Sequence, residues 1–137
     1  MLATREAATE NILEVSPTLN QALSTILEGA PWPVTVLHSS DCEQALAQLA
    51  DSRISVVICE TPLPDGSWKD LLACMARAKA SSVLVVTSKL ADESLWAEVL
   101  NWGGYDVLAQ PFDREEVTRV VRSAIRASSD PWRRRLA

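Results

Sequence analysis

Histidine occurs once in the 137 residues, at His38. A single imidazole supplies no partner for a second histidine at a metal and no credible Ser–His–acid set, which argues against a hydrolase. Cysteine occurs three times, at Cys42, Cys59 and Cys74, an odd number with no metal-ligand spacing. Cys59 lies inside an apolar run and reads as a small buried hydrophobe. No apolar run is long enough to span a membrane, and the stretch from Met1 to Glu6 lacks the apolar core of a signal peptide. A cytoplasmic protein with no membrane partner is therefore expected. Basic residues are outnumbered, 13 against 18 acids, and the net charge of −5 argues against nucleic acid as a partner. The one basic cluster, Arg133-Arg134-Arg135, reads as a solvated tail. Internal repeats, linkers and low-complexity tracts are also missing.

What is present is alternation. Ile12–Val15, Val34–Leu37, Ile54–Cys59, Val83–Thr87 and Tyr105–Leu108 are short apolar runs rich in β-branched residues. Runs of this kind suit parallel strands buried on both faces. Helical spacing and start signals fill the intervals. Ser16-Pro17 offers an N-cap with proline at the first helical position, ahead of a stripe of Leu19, Leu23, Ile26 and Leu27. Ser40-Asp41-Cys42-Glu43 reads as a capping box, and Ser67 opens a third helix with Leu71, Leu72 and Met75 inward. In the fourth helix Leu95, Val99 and Trp102 form the core stripe, with Trp96 and Leu100 on the flank. Asp113 opens the fifth, with Val117, Val120, Val121, Ala124 and Ile125 inward.

Strand–helix alternation at this pace predicts an α/β fold with right-handed crossovers: a flavodoxin-like, doubly wound five-stranded parallel sheet, strand order 2-1-3-4-5, with helices on both faces. Residues 1–10 are expected to be an N-terminal extension, 11–127 the domain, and 128–137 a tail too short for an output domain, giving a stand-alone module. The functional rim should lie at the carboxyl ends of the strands, at the switch point of the sheet. There the run Ile54-Ser-Val-Val-Ile-Cys-Glu60 delivers one acid and is followed by Thr61-Pro62-Leu63-Pro64-Asp65-Gly66.

This run resembles the third strand and following loop of response-regulator receiver domains. Val85-Val86-Thr87-Ser88 and the stretch from Gly103-Gly104 to Gln110-Pro111-Phe112 extend the resemblance, which covers residues 11 to 127. In that family an aspartate at the end of the third strand accepts a phosphoryl group, and an acid pair after the first strand helps it hold Mg²⁺. A hydroxyl after the fourth strand and a lysine before the strand-5 proline contact the phosphoryl oxygens. Here the resemblance puts Ser16 and Pro17 at the acid pair, Glu60 at the acceptor, Thr87 at the hydroxyl and Gln110 at the lysine. Only Thr87 matches. Mg²⁺ is usually held through one or two carboxylates plus phosphate and water, so its binding should be lost or very weak and no other cofactor is implied. Losing a lysine charge at ~4 Å, with an effective dielectric near 20, removes on the order of 4 kcal/mol of gross attraction. Asp65, the nearest other acid, reads as part of a turn rather than a second acceptor.

The implied function is a non-enzymatic (pseudo-)receiver of two-component signal transduction acting through protein–protein contacts. Its partner would be a signalling protein or histidine kinase component. A phosphorelay receiver with a weak or atypical acceptor is one alternative. A flavin- or nucleotide-binding flavodoxin-like protein is another, although Ser16-Pro17-Thr18 lacks the donors of a phosphate cradle. Glu60 is either a solvated rim acid or a carboxylate that bonds Thr87 or the Gln110 amide. Val107 falls where receivers carry a switch aromatic, with Tyr105 expected on the same strand face. Receivers commonly make dimer or partner contacts through helix 4, strand 5 and helix 5. Trp96 and Leu100 are either anchors on that face, including for a homodimer, or packed against neighbouring helices. Trp68 either folds over the site or staples the start of the third helix, and Gln110-Pro111 is a candidate cis peptide.

Overall fold

The computed structural model describes residues 9–18 and 20–129. Leu19, the extension before Thr9 and the cluster Arg133-Arg134-Arg135 lie outside the described residues. Strands β1 (Glu10–Val15), β2 (Val34–Ser39), β3 (Val56–Glu60), β4 (Val83–Ser88) and β5 (Asp106–Ala109) alternate with helices α1 (Gln21–Glu28), α2 (Cys42–Asp51), α3 (Trp68–Arg77), α4 (Glu93–Trp102) and α5 (Arg114–Ser128). These five strands pair in parallel in the order β2-β1-β3-β4-β5, as the alternation predicts.

Side chains on successive strand residues point to opposite faces, so each buried strand serves two cores. Ile12, Val56, Ile58, Val83 and Val85 pack with Leu23, Ile26 and Leu27 of α1 and Val117, Val120, Val121 and Ala124 of α5. Leu13, Val15, Val57, Cys59, Leu84 and Val86 pack with Ala45 of α2, Leu71 and Met75 of α3 and Val99 of α4. Burying each large apolar side chain stabilises the fold by roughly 1.5–3 kcal/mol. This two-sided burial explains why the strands read as continuous apolar runs.

Several local expectations shift. Helix α1 is capped by Asn20, whose side chain accepts from Leu23 N–H, rather than by Ser16. In α2 the cap is Asp41, one residue later than the sequence signal, and Gln44 accepts from Ser40 N–H. Ser67 caps α3 in a reciprocal box with Asp70, and Asp113 caps α5. Trp102 is not core: it is exposed and meets Trp68 edge-on at 6.2 Å. Trp68 is buried in the core beneath α3. Lys69 Nζ stands 4.9 Å from the Trp102 ring and pairs with Glu98 at 2.6 Å. Trp102 is the last residue of α4, which ends at Gly103, whose φ of 101° lies in the left-handed region that glycine adopts without strain.

Candidate functional site

The rim forms where β1, β3, β4 and β5 end side by side. Register places Val15 beside Cys59 and Glu60 beside Thr87, so Ser16, Glu60 and Thr87 follow one another across the sheet edge. Gln110 joins them one residue past β5, with its N–H donating to Ser88 O at 3.0 Å. Gln110-Pro111 is cis, as is Thr61-Pro62.

Thr87 is buried, and its Oγ1 accepts a hydrogen bond from the Gln110 amide at 3.1 Å. The two residues that would face a phosphoryl group are thus bonded to each other. The partly exposed Glu60 carboxylate bonds neither of them and makes no hydrogen bond to a described residue, which fits the solvated-acid alternative and not the bonded one. Cys59 beneath it is fully buried, and burial pushes its thiol up.

The reading of Glu60 as the only carboxylate at this end of the sheet needs correction. Glu14, next to the carboxyl end of β1, is 2 % exposed. Its Oε2 accepts from Asn20 N–H at 2.8 Å and lies 3.0 Å from the Ser16 hydroxyl, while Oε1 has no partner among the described residues. Burial pushes its carboxyl above the usual carboxylate range. The Asn20 N–H, the Ser16 hydroxyl and His38 oppose that shift, and the Glu60 charge adds to it. Glu14 is thus a second carboxyl within electrostatic reach of Glu60. Glu14 also ties down the first loop. Ser16 Oγ lies 2.8 Å from Thr18 O, and His38 Nε2–H donates to Ser16 O at 3.0 Å. The hydroxyl expected to cap a helix is used instead to close the loop on itself. Pro17 is exposed beside it.

A lone acid breaking an apolar run was the available sign of Glu14. A strand buried on both faces has no period to expose such an intruder. Asp65 belongs elsewhere: its carboxylate accepts from Cys42 N–H at 2.9 Å and Glu43 N–H at 3.2 Å, capping α2 from the β3–α3 loop. Those two N–H groups, Cys42 first, hold Asp65 below the usual carboxylate range. Burial, and then the Asp65 charge, push the Cys42 thiol up to about 12. Tyr105 and Val107 do not share a face, since Val107 packs on the α2–α3–α4 side and Tyr105 on the α1–α5 side. Trp96 and Leu100 are exposed on α4 rather than packed beneath neighbouring helices.

The donor set can be weighed against Mg²⁺. Ser16 and Pro17 offer no carboxylate, and Glu14 has one oxygen engaged with its own loop. Among the described residues no group of three or more His, Cys, Asp or Glu stands where it could hold a metal ion. The residues present do not fit the ion that the receiver family places here.

A doubly wound sheet in this order is the flavodoxin-like fold that CheY shares, and Glu60, Thr87 and Gln110 stand at the ends of its third, fourth and fifth strands. Residues 12–122 match the response regulator receiver domain family, and the chain belongs to that family of two-component signalling domains. It is 31% identical over 116 residues to the probable transcriptional regulatory protein TcrX of Mycobacterium tuberculosis, covering 84% of this chain and 48% of that protein. The chain spans about half the length of the curated relatives it matches. Among solved structures, the signal receiver domain of an HD domain-containing protein from Pseudomonas fluorescens Pf-5 superposes with a TM-score of 0.77 at 25% identity, covering 93% of this chain and 95% of that one. The chemotaxis response regulator CheY4 of Vibrio cholerae shares the fold, with a TM-score of 0.71 at 18% identity over 85% of this chain and 99% of that one. Among the described residues no helix is long and apolar enough to cross a membrane.

Proposed function

We propose that this receiver is a non-catalytic module that signals through protein–protein contacts rather than by accepting a phosphoryl group. The observation that carries the reading is the bond between Gln110 and Thr87 beside an unpaired Glu60. Phosphoryl transfer is catalysed largely by positioning and by positive charge at the equatorial oxygens. Here a neutral amide stands at the position of the lysine, directs one N–H to the hydroxyl and supplies no positive charge. Glu14, the second carboxyl near Glu60, has one oxygen engaged with its own loop and does not restore the acid pair. Mg²⁺ binding is accordingly lost or very weak, and the protein is not an enzyme.

The partner is a signalling protein or a histidine kinase component, met in the cytoplasm. The contact surface is the face of α4, β5 and α5, where Trp96 and Leu100 stand exposed, and a homodimer is one use of it. Exposed tryptophan is a common anchor of interface hot spots. The acidic charge balance disfavours nucleic acid as a direct partner. Incubation with acetyl phosphate and Mg²⁺, followed by intact-mass measurement, tests the reading. It requires no added phosphoryl mass under conditions that label a working receiver. Mg²⁺-dependent labelling that disappears in Glu60→Gln would replace it with a phosphorelay receiver using an atypical acceptor.

A further inference from the structure

Between the start of α4 and β5 lies a groove of about 300 Å³, lined by Ala91, Asp92, Glu93, Trp96, Val107, Ala109 and Glu116. At about 30 Å³ per water that is room for roughly ten waters, the scale of one long side chain rather than a whole helix. Its walls divide by chemistry. Ala91, Val107 and Ala109 give an apolar lining, and a bulkier residue at Val107 would fill it. Trp96 remains 49% exposed and borders the space. Asp92, Glu93 and Glu116 bring three carboxylates, and no basic residue lines the groove. Asp92 spends one oxygen as the N-cap of α4, on Leu95 N–H, and none of the three forms an ion pair among the described residues.

We infer that this groove receives an arginine side chain from an apolar, arginine-bearing segment of a partner protein. Each wall then has its counterpart. The methylene stem of arginine covers apolar surface while its head stays at a polar mouth. The planar guanidinium stacks on an indole and directs its N–H edges to carboxylates, which a strongly hydrated lysine ammonium does less well. Leu90 and Leu100, exposed near the two ends of α4, offer apolar surface for the residues flanking the arginine. The inference rests on the reading of this face as a protein contact surface and names the chemistry of what docks there.

The test is an amide NMR titration of the full chain with a blocked Ala-Leu-Arg-Ala-Leu-Arg peptide, beside the same peptide with citrulline for arginine. Citrulline keeps the shape and removes the charge. The arginine peptide should move the resonances of Trp96, Val107 and Ala109 and bind about tenfold or more tightly than the citrulline peptide, as the loss of a charged hydrogen bond implies. Val107→Phe should abolish that binding by filling the groove, with spectral dispersion as the check on folding. Glu116→Gln should weaken it without altering shape. Equal binding of the two peptides at Trp96 and Leu100 would keep the face as a contact surface and overturn the arginine assignment. No shift with either peptide overturns the assignment too, as does concentration-dependent self-association that protects the groove, since the occupant would then be a second copy. A peptide that binds regardless of Val107→Phe and Glu116→Gln docks elsewhere and has the same consequence.

Discussion

The carboxyl-end rim and the α4–β5 face lie close together on this domain, and their polar groups are used in opposite ways. At the rim the groups close on one another: Gln110 on Thr87, Ser16 on Glu14, His38 on the Ser16 carbonyl. On the α4 side large apolar groups stay uncovered, with Leu90, Trp96, Leu100 and Trp102 all exposed. A polar site built for chemistry keeps donors aimed at where a substrate's charge will develop. Here the Gln110 amide is turned toward the Thr87 hydroxyl, and among the described residues no positive side chain joins them at the rim. Trp102 still meets Trp68 edge-on, whereas Trp96 and Leu90 are left largely to solvent, and apolar patches of this kind mark interaction surfaces. This difference is why function is proposed to lie on the surface: polar groups bond one another in the pocket, and apolar groups stay open on the α4 side.

Four changes break or sharpen that contrast. The largest effect on stability separates two tryptophans. Trp68→Ala removes a core aromatic and the edge-on partner of Trp102, and should cost about 3–5 kcal/mol in denaturant unfolding. Trp96→Ala should stay within about 0.5 kcal/mol of the parent while weakening partner capture. Equal losses would dissolve the distinction between core and contact surface. Next comes repair of the rim. Combining Ser16→Asp, Pro17→Asp, Glu60→Asp and Gln110→Lys should strengthen Mg²⁺ binding by about tenfold or more, read by isothermal titration, because it restores carboxylate ligands. No gain would mean that the identity of these residues is not what limits the pocket.

A smaller effect concerns Glu14. Its folded-state pKa is raised, so the folded protein binds that proton more readily than the unfolded chain. Glu14 therefore costs no stability below the ordinary carboxylate range, and its cost appears as pH rises through the raised value. Melting temperatures of Glu14→Gln should match the parent in acid and rise relative to it toward neutral pH. A difference that shrank over the same range would reverse the assignment. The smallest change is Asp65→Ala. The lowered pKa of Asp65 means its cap on α2 is present above the ordinary carboxylate range and is lost as pH falls through its folded value. A modest loss of melting temperature at neutral pH should vanish in acid.

The strand order and the acid at Glu60 were legible in the chain, because parallel strands buried on both faces leave long apolar runs, and the resemblance to receivers put Thr87 and Gln110 at the same rim. The same burial hid Glu14, which was read as one more residue of an apolar strand although its carboxyl organises the first loop. Ser16-Pro17 carries a helix-start signal, but the buried carboxylate beside it competes for the Ser16 hydroxyl and Asn20 takes the cap. Trp102 shares helical spacing with Leu95 and Val99, yet spacing says nothing about where a helix end parts from the sheet. Tyr105 precedes β5 rather than belonging to it, so alternation did not govern its face. Local patterns predicted elements well. Contacts between side chains distant in sequence decided the site.

The central claim is that the rim is closed to a phosphoryl group. The most direct measurement is an amide NMR spectrum of the chain with and without Mg²⁺ and beryllofluoride, the phosphoryl mimic. The account predicts unchanged resonances for Ser16, Glu60, Thr87 and Gln110. Saturable, Mg²⁺-dependent shifts centred on Glu60 would contradict it.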